Sequence, residues 1–127
     1  RSIEWIISLQ RVDGGWGESC ESYWVKDEGE TKDTTFSLSL PSQTAWALLA
    51  LMAAGQHKSH AVERGIKYLI STCKSNGDWD EKFFNAVGFP RVFFLRYHGY
   101  RLYFPILALA RYRNLIKDMQ NQQVYGL

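Results

Sequence analysis

Cysteine is scarce in this 127-residue sequence. Cys20 and Cys73 have no metal-ligand spacing and make no disulfide framework, which fits a reduced compartment best. His57, His60 and His98 lack Cys or carboxylate partners at ligand spacing, so the pattern argues against a metal site. No Ser-His-Asp or Cys-His arrangement can be argued from the spacings. Charge of one sign is also missing. With 15 Lys and Arg against 13 Asp and Glu, the net +2 is too small to argue for nucleic acid or an anionic membrane surface. The longest apolar run, Ala45 to Ala54, is half a membrane span and crosses no bilayer alone. No signal peptide is visible, and the sequence opens at Arg1 without Met, so targeting cannot be read. Disorder is excluded by 46% hydrophobic against 22% charged residues. The length suits one compact domain or part of a larger one.

What the sequence has in plenty is aromatic side chains, at 15%, and they are unevenly spread. Two stretches align at an offset of 63 residues: "RSIEWIISLQRVDGGW" from Arg1 to Trp16 and "RGIKYLISTCKSNGDW" from Arg64 to Trp79. Arg1 matches Arg64, Ile3 Ile66, Trp5 Tyr68, Ile6 Leu69, Ser8 Ser71, Gly14 Gly77 and Trp16 Trp79, while Gln10 faces Cys73. So many matches without a gap indicate an internal repeat of supersecondary size, about 1–63 and about 64–127.

Each repeat opens with a helix. Ile3, Ile6 and Ile7, then Ile66, Leu69 and Ile70, follow the spacing of a one-sided apolar stripe. A Gly-rich turn follows, Asp13-Gly14-Gly15 or Asn76-Gly77-Asp78, and a Trp closes it. The second helix of each repeat is of another kind. "PSQTAWALLALMAAG" places Pro41 in a first turn and Gly55 at a C-terminal cap, and "FPILALARYRN" has Pro105 in a similar place. Both are apolar nearly all round, which predicts burial inside a larger protein. The expected fold class is therefore all-α: two αα-hairpin repeats of the type that curves into a solenoid or forms part of a closed α/α barrel or toroid. Two repeats are fewer than such an architecture normally needs, so a fragment of a longer protein is expected.

Two loop-like segments separate the helices. Residues 17–40 are acidic and hydroxyl-rich, with no sustained period. Residues 80–100 hold Phe83, Phe84, Phe89, Phe93, Phe94, Tyr97 and Tyr100 around Pro90 and Gly99. A long loop with this many rings should line a cavity or pack on a neighbour.

The spacing Gln10-x-x-x-Gly14-x-Trp16, preceded by Arg1, Trp5 and Ile6, resembles the QW motif of the triterpene cyclases. The closing "GFPRVFFLRYHGYRLYFPILALARYRN", from Gly88 to Asn114, resembles the C-terminal signature of bacterial squalene–hopene cyclases, and "PSQTAWALLAL" fits the same family. The Phe89-Pro90 step favours that branch over the eukaryotic oxidosqualene one. The resemblance covers essentially the whole chain. It implies the C-terminal part of a longer two-domain enzyme of α/α barrels. Such an enzyme is an isomerase of the intramolecular-transferase type, and its hopanol formation is a lyase reaction in reverse. It takes squalene to hopene and hopanol in hopanoid biosynthesis, without metal or cofactor. It is monotopic on the cytoplasmic side of the bacterial membrane and commonly a homodimer, with no nucleic-acid partner.

Cyclisation of a polyene starts by protonating an alkene, a very weak base, and the resemblance implies that an Asp-x-Asp-Asp motif supplies the acid. Of Asp13, Asp27, Asp33, Asp78, Asp80 and Asp118, only Asp78-Trp79-Asp80 has an Asp-x-Asp spacing. It lies in the second Gly-Trp turn without the final Asp and reads as a turn and cap element. The proton donor is then expected upstream, this chain holds no catalytic acid, and alone it should not cyclise squalene. The remaining task is to guide a carbocation in a dry space whose π faces attract positive charge without bonding to it. The resemblance places Phe89, Phe93, Leu95, Tyr97 and Tyr100 on that cavity wall. Phe89 and Phe93 would stabilise cations, Leu95 would shape the pocket, and Tyr97 and Tyr100 would hold the substrate fold. The alternative for each is plain core packing. Gln10, Gly14, Trp16, Gly77 and Trp79 form the structural QW motif, in which the Trp stacks on the Gln amide. Cys73 in place of Gln leaves that stack in question for the second copy.

Other readings cover parts of the sequence. Arg91, Arg96, His98 and Arg101 interleave with Phe93, Tyr97 and Tyr103, a pattern that also suits single-stranded nucleic acid, but there is no basic stripe elsewhere. The charges of "KDEGETKD" read as a solvated loop. Spaced Gln and Trp also occur in carbohydrate-binding β-trefoils, against which the helical periodicity before each Trp argues. Another α/α-barrel enzyme, such as a prenyltransferase subunit or a glycosidase, would need zinc ligands or a carboxylate pair.

Overall fold

The computed structural model describes residues 1–20, 38–84, 86–89 and 91–125. In order along the chain they form α1 (Ser2–Ser8), α2 (Pro41–Ala53), α3 (His60–Thr72), a hairpin of β1 (Ala86–Phe89) and β2 (Phe93–Leu95), and α4 (Tyr100–Tyr125). The chain is mostly helical, in accord with the all-α expectation. None of the described helices is long and apolar enough to cross a membrane.

α2 is the central element and packs against both α3 and α4. Pro41 stands at its start, where a missing N–H costs nothing, and Leu48, Leu51 and Ala45 are buried along its length. α3 begins at Ser59, whose hydroxyl accepts from the Val62 N–H at 3.3 Å. It buries Val62, Ile66 and Leu69 at helical spacing. Ile70 departs from the expected stripe and is 61% exposed, because the buried face of α3 runs along 62, 65–66 and 69. Ile3, Ile6 and Ile7 of α1 pack against the edge of the same core.

Two further expectations need correction. Pro105 does not open its helix. α4 starts at Tyr100 and Pro105 lies inside it, fully buried. The helix extends upstream because Tyr100 and Phe104 both pack edge-on to Trp46 of α2, which offsets the one backbone bond that the proline removes. In this chain by itself, Leu102, Tyr103, Ile106 and Leu107 of α4 are exposed. Residues 80–100 are not simply a loop either. Their antiparallel hairpin pairs Ala86 with Leu95, Val87 with Phe94 and Phe89 with Phe93. The register slips between Val87 and Phe89, leaving Gly88 as the extra residue of a bulge. A Cβ on Gly88 would sit inside the Phe93 ring, so glycine there lets that ring lie across the strand. Arg91 turns the chain with a φ of 63°, and the Val92 N–H donates to Phe89 O at 3.0 Å. Pro90 and residues 21–37 lie outside the described residues, as does most of the acidic segment 17–40.

The two Gly-Trp turns make the same bonds 63 residues apart. The Trp16 indole N–H donates to Ile6 O at 2.7 Å, and that of Trp79 to Leu69 O at 2.8 Å. Gly14 N–H donates to Arg11 O and Gly77 N–H to Lys74 O, both at 2.9 Å. The surroundings differ. Gln10 Nε2 donates to Gly14 O and also across to Ala61 O on α3, each at 2.8 Å, and Arg64 donates to Arg11 O and Val12 O. Cys73, where the second copy would have Gln, reaches only Lys74 O of its own turn at 3.5 Å. Trp79 is buried all the same, so its anchor is the indole bond and not an amide.

Both turn glycines have positive φ, 91° at Gly14 and 79° at Gly77. A Cβ at Gly14 would stand 2.7 Å from Arg64 O, whereas at Gly77 it would meet nothing within 4 Å. Gly77→Ala should therefore cost only the left-handed strain, about 1–2 kcal/mol. Gly14→Ala should cost clearly more, because a backbone carbonyl must also move. Equal unfolding midpoints for the two variants would contradict this.

Candidate functional site

The residues expected to face a cavity come from three neighbouring elements. Phe93 and Leu95 share one face of β2, as alternation along a strand requires, and Phe94 points the other way. Phe93 is 43% exposed and Leu95 41%. Phe89 stands across the hairpin from Phe93, with ring centroids 5.6 Å apart at 66°. Tyr97 lies two residues beyond Leu95 and stacks on Tyr100 at 4.9 Å and 21°. The fold thus brings Phe89 together with Phe93, and Tyr97 with Tyr100.

Tyr100 is the centre of the second group. Its ring meets Trp46 at 5.6 Å and Phe104 at 5.1 Å, both edge-on, and Trp46 meets Phe104 at 5.4 Å. Each such pair contributes about 0.5–1.5 kcal/mol beyond the area it buries. Trp46 and Phe104 were not among the expected wall residues. Trp46 was hidden in the sequence because its helix is apolar all round and offers no polar face to orient it. The hairpin left a weak signal in the spacing of Phe93, Leu95 and Tyr97, blurred by the apolar Phe94 between the first two.

Leu95, Tyr97, Tyr100, Trp46 and Phe84 line a concavity of about 20 Å³, room for little more than one water. Two ring faces already carry cations: Lys82 Nζ lies 5.3 Å from the Phe83 centroid, and the Arg96 guanidinium 5.4 Å from that of Phe84.

The polar residues around the rings are held by one another. Glu81 Oε2 accepts from Ser42 N–H at 2.9 Å, a carboxylate set on the positive end of α2. Asp78 Oδ1 accepts from Arg101 Nη1 and from Trp79 N–H, and Asp80 pairs with Lys74 at 2.5 Å. The Arg101 hydrogen bond, opposed in part by desolvation, holds the Asp78 carboxyl below its ordinary range. A carboxylate held ionised in this way carries no proton to give to a weak base. Tyr68 donates to Ser39 O at 2.8 Å, and burial, aided by the charges of Asp13 and Glu81, pushes its phenol up to about 12. No group of three or more His, Cys, Asp or Glu among the described residues is placed to hold a metal.

Residues 1–114 match the family model described as the squalene-hopene cyclase C-terminal domain. The chain belongs to this family of terpene cyclases, whose all-α toroid the helical architecture fits. It is 54% identical over its whole length to the squalene–hopene cyclase of Bradyrhizobium diazoefficiens, and 49% to that of Zymomonas mobilis. It is also 53% identical, over 83% of its length, to a squalene-hopene cyclase of the yeast Schizosaccharomyces japonicus. It spans 18%, 19% and 15% of those three proteins, or less than a fifth of each.

Proposed function

We propose that this chain is the C-terminal part of a longer squalene–hopene cyclase, and that its aromatic hairpin and the start of α4 form one wall of the cyclisation cavity. The observation that carries this reading is the row of partly exposed apolar side chains at Phe89, Phe93, Leu95 and Tyr97, which leads into Tyr100. A row of this kind left uncovered suits a surface that meets a hydrocarbon. Phe89 and Phe93 offer ring faces to cationic intermediates. Leu95 limits the space, and the stacked Tyr97–Tyr100 pair, braced by Trp46 and Phe104, holds the folded chain of the substrate. The substrate is squalene, the product a hopanoid triterpene, and the acid that starts the cascade belongs to another part of the polypeptide. On the same reading the whole enzyme sits monotopically on the cytoplasmic face of a bacterial membrane as a homodimer.

The test is direct. The full-length polypeptide carrying this segment, incubated with squalene, should yield cyclised hydrocarbon or alcohol by gas chromatography, whereas residues 1–127 alone should return squalene unchanged. Cyclisation by the short chain would refute the division of labour. Absence of cyclisation by the long one would refute the assignment.

A further inference from the structure

We infer that Arg96 and Arg101, with the segment Asp78–Glu81 that receives them, are positioning residues: they hold the Tyr97–Tyr100 pair in register and thereby set how far cyclisation proceeds. The inference rests on the cavity reading given above. Arg96 immediately precedes Tyr97, and its guanidinium donates to the carbonyl of Glu81. Arg101 immediately follows Tyr100 and donates both to Asp78 Oδ1, at 2.6 Å, and to the carbonyl of Trp79. The segment that carries the two rings is thus fastened at both ends to one four-residue stretch that follows the second Gly-Trp turn.

That stretch is itself held on two sides. Trp79 is buried and its indole donates to Leu69 O of α3, while the Glu81 carboxylate caps α2 through Ser42 N–H. α2 also carries Trp46, which meets Tyr100 edge-on. Ring and fastening are therefore referred to the same helix. The fastenings stand in an open polar cleft of about 290 Å³ that Lys74, Asp80 and His98 share, and Arg96 and Glu81 also border the small concavity beside Tyr97 and Tyr100. A planar guanidinium can serve a carboxylate and a carbonyl at once, which an ammonium does less well. Rings displaced by about 1 Å would lose much of their hold on the folded substrate chain, and a misfolded chain closes fewer rings.

The test uses the full-length enzyme supplied with squalene and reads the ratio of incompletely to fully cyclised products. Arg101→Gln should raise this ratio about tenfold, and Arg101→Lys by less. Glu81→Ala should raise it as well, whereas Glu81→Gln, which keeps an acceptor oxygen for Ser42 N–H, should leave it near the wild-type value. A merely structural role would lower the melting temperature and the yield of enzyme but leave the ratio unmoved. If Arg101→Gln does not accumulate, Glu81→Ala decides. A wild-type ratio in either variant, alongside a shifted one for Phe93→Ala, overturns this inference and leaves the cavity reading standing. No turnover of squalene by the unsubstituted enzyme removes both.

Discussion

Phe93→Ala in the full-length enzyme is expected to release prematurely terminated, partly cyclised products while the protein stays folded. The Phe93 ring is close to half exposed, lies over Gly88 and touches Phe89 edge-on, so truncating it empties no buried core site. Its value on the proposed reading is electrostatic. A desolvated cation–π contact is worth about 2 kcal/mol, which converts to about thirtyfold in how an intermediate partitions between the next ring closure and escape. The measurement is the product distribution by gas chromatography beside the unfolding midpoint. An unchanged distribution would end the cation-stabilising role for this ring, and a large drop in midpoint would return Phe93 to ordinary packing.

Trp16→Ala should do the reverse. Its side chain is buried in the core cluster against Leu48, its indole N–H is bonded to Ile6 O, and its ring lies against Gly65 of α3, where a Cβ would come within 2.9 Å of it. The Trp16 backbone also exchanges hydrogen bonds with the Thr44 hydroxyl at the head of α2. Removing such a ring leaves a cavity and takes the indole donor from Ile6 O, which keeps only the Leu9 N–H, a loss of about 3–5 kcal/mol against a typical total of about 5–15. Thermal and denaturant midpoints should fall sharply, and the surviving activity should give the wild-type products. A variant of normal stability with altered products would make Trp16 part of the site and undo its structural assignment.

These two side chains mark the boundary between what could be read along the chain and what could not. The Gly-Trp turns are local. The indole of Trp16 reaches Ile6 and that of Trp79 reaches Leu69, each ten residues back, and a bond of that span leaves a pattern that repeats. The bonds that join the elements leave none. Gln10 meets Ala61 across 51 residues, and Glu81 caps α2 across 39. Neither partner is marked by residue type, since one is a backbone carbonyl and the other a backbone N–H. The hairpin was obscured because its alternation is three residues long in β2 and lies inside a crowd of rings.

The sequence by itself determined the helical repeat, the left-handed glycines, the aromatic segment from Phe83 to Phe104 and the family resemblance, because short-range periodicity and turn chemistry are written in residue type and spacing. The tertiary structure alone decided which rings meet. It set Trp46 and Phe104 against Tyr100, left Ile70 outside, carried α4 upstream of Pro105, and gathered Glu81, Arg96 and Arg101 around one short stretch. Such pairings depend on how whole helices pack over their buried faces, a property of the assembled core that no single stretch of sequence carries.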